Sequence, residues 1–127
     1  MTAYRSFSGR VVRGKQLGRT LGFPTANLDA QSTDLARGVY AVRVRLESGA
    51  EKMGMMNVGQ HPTLPEGPAT VEINLLDFEG DLYGQTLYVE PEAFLRGEVR
   101  FESPDALRAQ LHRDRESVRA ILTQEKR

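Results

Sequence analysis

The 127-residue chain carries seventeen Lys and Arg against seventeen Asp and Glu, with two His and no Cys. Zero formal charge excludes the broad basic field of a general nucleic-acid binder, and the lack of cysteine excludes disulfide frameworks and thiolate metal sites. No apolar run approaches the roughly 20 residues that span a bilayer, and the N-terminal MTAYRSFSGR lacks the apolar stretch of a secretory signal, so a cytoplasmic protein with no membrane association is expected.

The first strand is predicted over 6–12, and it runs into GRVVRGKQLGRTLGFPTANL (9–28). Gly9, Gly14 and Lys15 have the spacing of a phosphate-binding P-loop, but position 16 is Gln where that loop needs a Ser or Thr for Mg²⁺. Gly18, Gly22 and Pro24 also interrupt the helix that should follow. A P-loop is therefore rejected. Five basic residues (Arg5, Arg10, Arg13, Lys15, Arg19) precede the first acid, Asp29, and by themselves they read as a solvated basic strand and turn.

In Thr25-Ala26-Asn27 the two polar side chains share one face of an extended chain, behind the stiff Pro24. Their oxygens are hard ligands of the kind Mg²⁺ accepts beside nucleotide phosphates, although a turn satisfying its own backbone uses the same residues.

Further strands are predicted over 38–46, 51–58, 70–78 and 85–89, and Glu47-Ser48-Gly49-Ala50 is short enough for a hairpin. Antiparallel pairing is favoured, and closure into a small barrel would remove the edges. Met53, Met55 and Met56 read as core filler more than as a ligand patch. HPTLPEGP (61–68) is expected to be an irregular loop carrying His61.

In 69–78 the alternation puts Val71, Ile73 and Leu75 on one face and Glu72 and Asn74 on the other. Glu72, an acid within a strongly β-forming run, could accept a hydroxyl proton or simply be exposed.

Ser103, Pro104 and Asp105 form a start signal for a helix over about 104–123, with Leu107, Leu111, Val118 and Leu122 on one face and His112 on the polar side. There are no internal repeats. One domain over 1–127 is expected, with its barrel over about 5–101.

Together these segments resemble the riboflavin kinase family, in the form fused behind an adenylyltransferase in bacterial FAD synthetases. The resemblance rests on Gly14, GRTLGFPTAN (18–27), GVY (38–40), NVGxxPT (57–63), VExxLLDFxGDLYG (71–84) and FLRxExxF (94–101), in order along nearly the whole chain. It implies an all-β fold, a small six-stranded antiparallel Greek-key barrel with one C-terminal α-helix. The implied activity is transfer of the γ-phosphate of ATP to the ribityl 5′-hydroxyl of riboflavin, giving FMN and ADP.

The resemblance further implies that Glu72 is the base, that Thr25 and Asn27 hold Mg²⁺ and nucleotide, and that Gly14 and Arg19 belong to the nucleotide loop. Leu75, Arg96 and Phe101 match positions near the flavin, with Arg96 and the following turn forming a flap. The histidine motif of an adenylyltransferase is missing, so FAD synthesis is not predicted. A monomer without nucleic-acid partners is expected.

Overall fold

Alternation of apolar and polar residues along the strands gives each one an inward and an outward face, and six such strands curl until the first meets the last. The computed structural model describes residues 4–12, 25–29, 35–59, 70–99 and 101–125. In chain order the strands are β1 (Phe7–Val12), β2 (Ala26–Leu28), β3 (Gly38–Arg45), β4 (Glu51–Gly59), β5 (Thr70–Leu75) and β6 (Thr86–Arg96), followed by the helix α1 (Pro104–Glu125). They form a closed barrel in the order β1-β2-β5-β4-β3-β6, and every pairing is antiparallel. Three consecutive strands with the next returning beside the first, β6-β3-β4-β5, make the Greek key.

The interior is filled by Leu28, Tyr40, Val42, Val44, Met56, Val58, Val71, Ile73, Leu87 and Val89. A second core lies outside the wall, where Val39, Ala41, Met55 and Leu76 meet Val118 and Leu122 of α1. Both helix residues are fully buried, a contribution of about 1.5–3 kcal/mol for each such side chain. This second core lays α1 across one outer face of the barrel.

Several sequence boundaries are revised. Residues 26–28 are a paired strand, opposite Val71, Glu72 and Ile73 on one side and Val11 and Val12 on the other. β5 stops at Leu75 instead of 78, because Asp77 turns the chain with a left-handed φ of 55°. β6 runs eleven residues, to Arg96 instead of 89. It tolerates Pro91 because the register with β3 shifts there, between Ala41 and Val42. α1 extends two residues past the expected end. The 47–50 hairpin forms, with Leu46 N–H donating to Ala50 O at 2.9 Å, and Ser103 caps α1 by accepting from Ala106 N–H at 3.1 Å. The 61–68 segment with His61 lies outside the described residues, whereas His112 is exposed on α1.

The β3–β6 register shifts twice, the second time between Val39 and Tyr40. Each shift adds an unpaired residue to β6 and so changes which side chains face outward. After the first, Ala93 and Leu95 pack against the helix side instead of entering the barrel as Leu87 and Val89 do. After the second, Arg96 stands opposite Val39.

Candidate active site

The outward residues of five strands form a row under the first half of α1. Asn27 of β2 is paired with Glu72 of β5, Glu72 with Asn57 of β4, Asn57 with Val39 of β3, and Val39 with Arg96 of β6. Neighbouring strands lie about 4.8 Å apart, so Glu72 and Arg96 are separated by about 14 Å of wall. One step along the strands, Asn74, Met55, Ala41 and Ala93 make a parallel row. Thr25, just before β2, has the same outward parity as Asn27.

Between these rows and α1 is a cavity of about 320 Å³. Its polar end is lined by Thr25, Asn57, Glu72 and Asn74. Its apolar walls are Val39 and Met55 from the barrel and Leu107 and Leu111 from the helix. The far end is closed by Arg96, Asp114, and Glu98, Val99 and Phe101 of the connection from β6 to α1. Glu98 reaches back over β4, its Oε2 only 2.8 Å from where a Cβ on Gly59 would stand.

At the polar end the Thr25 hydroxyl oxygen is buried with no hydrogen-bond partner among the described residues. An unsatisfied buried hydroxyl is costly, and a hard cation is one way to satisfy it. At the far end Asp114 is 4% exposed and takes Arg96 in a fork, from Nε at 3.1 Å and the terminal NH₂ at 2.8 Å. Gln110 Nε2 donates to the same carboxylate at 2.8 Å, and the Arg96 guanidinium lies 5.9 Å from the Phe101 ring centre.

The structure thus brings Thr25, Glu72, Arg96 and Phe101 to one cavity, with Asn27 beside Glu72 in register. Leu75 is not brought there: its side chain belongs to the barrel interior with Val71 and Ile73. Arg96 is the last residue of β6, and the connection to α1 follows it. Gly14 and Arg19 lie outside the described residues. The methionines divide, since Met56 is interior core but Met55 lines the cavity. Sequence reasoning missed Asn57, Leu107, Leu111 and Asp114 as cavity residues. Asp114 had a signal: it falls at the i+3 step of the apolar stripe 107, 111, 118, 122, where an acid is out of place.

A closed barrel with an amphiphilic cavity between its wall and an appended helix is an architecture suited to a small-molecule site. The riboflavin kinase (flavokinase) family model matches residues 1–122. The chain is 43% identical over 119 residues to a bifunctional riboflavin kinase/FMN adenylyltransferase of Haemophilus influenzae, a match covering 93% of this chain and 38% of that protein. It is also 43% identical over 108 residues to an RNA-binding riboflavin kinase of Bacillus subtilis, covering 84% of this chain and 46% of the relative. The crystal structure of riboflavin kinase from Trypanosoma brucei superposes with a TM-score of 0.66 at 22% identity, over 98% of this chain and 84% of that one, and so shares the fold. The chain belongs to the riboflavin kinase family, whose members are phosphotransferases. It spans less than half the length of both curated relatives.

Proposed function

We propose that this chain, as one domain over 1–127, transfers the γ-phosphate of ATP to the ribityl 5′-hydroxyl of riboflavin, forming FMN and ADP. The observation that carries the reading is the row from Asn27 to Arg96, with a carboxylate between two amides at one end and an apolar, aromatic-walled space at the other. A ligand combining a terminal hydroxyl with a planar ring suits such a site, ring between Leu107, Leu111 and Phe101, hydroxyl at Glu72.

Glu72 orients the hydroxyl and takes its proton as the oxygen bonds to the γ-phosphorus and the bond to the β-phosphate bridging oxygen breaks. Because the transition state is loose, a weak base suffices, and positioning carries much of the catalysis. Thr25 and Asn27 would hold Mg²⁺, and the buried Thr25 hydroxyl, without a hydrogen-bond partner among the described residues, fits that role. When bound, the ion neutralises charge developing on the phosphates. Gly14 and Arg19 belong to the nucleotide side, Gly14 allowing close backbone approach and Arg19 offsetting charge. Arg96 and Phe101 serve the flavin side; the inward Leu75 supports that wall from behind. The domain works in the cytoplasm as a monomer, without nucleic acid or membrane.

Incubation with riboflavin, ATP and Mg²⁺, followed by chromatographic separation of flavins, tests the reading. FMN formation dependent on all three is expected; unchanged riboflavin under saturating ATP and Mg²⁺ overturns it.

A further inference from the structure

Arg96 stands about 14 Å from Glu72 along the wall, three strand spacings away. At the backbone it therefore belongs to the opposite end of the row from the carboxylate that would face the transferred phosphate. Its charge is also already answered by the Asp114 carboxylate, through the fork at 3.1 and 2.8 Å. A neutralised, flat guanidinium with an aromatic ring beside it suits an uncharged conjugated ring better than an anion. Asp114 does more than balance charge. It is 4% exposed, it is fixed by Gln110 one helical turn earlier, and it lines the same cavity as Arg96. Arg96 NH1 donates to Gly97 O at 3.1 Å, so the fork also ties down the start of the connection that carries Val99 and Phe101.

We infer that Asp114 is a positioning residue for the ring end of the substrate: acting through Arg96, with Gln110 as its brace, it sets affinity for the flavin and not for the nucleotide. This rests on the kinase reading above. Without the carboxylate, a guanidinium that is mostly buried loses the fork that sets its orientation, and the flat wall loosens with it. A staple that merely held α1 to the barrel would lower stability, with no reason to separate one substrate from the other.

The test measures riboflavin binding by quenching of its own fluorescence, together with KM for riboflavin and for ATP. The proteins are wild type, Asp114→Asn, Asp114→Glu and Gln110→Ala. Asp114→Asn is expected to raise the Kd and KM for riboflavin about tenfold, the scale of one charge-assisted hydrogen bond, with KM for ATP within about twofold. Asp114→Glu should recover part of the loss, and Gln110→Ala, which keeps the charge and guards against a folding failure at 114, should weaken riboflavin alone by about two- to threefold. The inference is overturned if Asp114→Asn and Gln110→Ala bind riboflavin like wild type, or if they weaken both substrates equally. A wild-type protein that neither quenches nor phosphorylates riboflavin overturns the kinase reading and this inference together. FMN formation by wild type with an indifferent Asp114→Asn overturns this inference alone.

Discussion

Glu72 sits between Asn27 and Asn57 in register, so the carboxylate faces the cavity from a rigid central position in the wall. A base held on paired strands is positioned better than one on a loop. Glu72→Gln keeps size and one acceptor oxygen but cannot take a proton. Turnover is expected to fall by roughly two to four orders of magnitude, with riboflavin and ATP binding nearly unchanged. Steady-state kinetics beside riboflavin fluorescence titration separate the two effects. Turnover within a few-fold of wild type would mean that Glu72 is a strand residue and that the proton leaves by another route.

α1 has two halves with different work. The first lends Leu107, Leu111 and Asp114 to the cavity, and the second buries Val118 and Leu122 against the barrel. At the second half Arg119 pairs with Asp77 through two 2.8 Å hydrogen bonds, tethering the turn after β5. The Arg119 hydrogen bond holds the Asp77 carboxyl below the ordinary aspartate value of 3.8. A depressed folded value gives stability that is present above the unfolded pKa and lost as pH falls through the folded one. Asp77→Asn removes the charge yet tolerates the left-handed φ of 55°. Its melting temperature is expected to lie slightly below wild type at pH 7 in low salt. The gap should close as pH is lowered below 3.8 and through the depressed folded value, where the wild-type carboxylate is protonated, and narrow in about 1 M salt, since the pair is exposed and screened. An unchanged gap in acid would place the effect in the backbone turn instead.

Over the whole molecule, seventeen basic residues offset seventeen acidic ones, and no helix among the described residues is long and apolar enough to cross a membrane. RNA affinity rests mainly on basic side chains against phosphates, and a balanced barrel lacks the surplus. Mobility-shift titration with single-stranded and hairpin RNA at about 0.15 M salt should show no complex at micromolar protein. A salt-sensitive complex would show that the basic run around Arg10 to Arg19 acts despite the neutral total.

What depends on near neighbours was legible along the chain. Period-two alternation assigned Val71, Ile73 and Leu75 to one face and Glu72 to the other, as the barrel has them. Ser103 and the 107/111/118/122 stripe located α1, because caps and helical periodicity are local. Three consecutive residues of β2 were not legible as a strand, since their order comes from partners on both sides. Nor was the extent of β6, where two register shifts with β3 let the strand pass Pro91 and turn Arg96 outward. The meeting of Arg96 with Asp114, eighteen residues away, was equally hidden. These features arise from long-range pairing, because a shift in register reverses the face of every residue after it, and because no local rule says which wall a helix will cover.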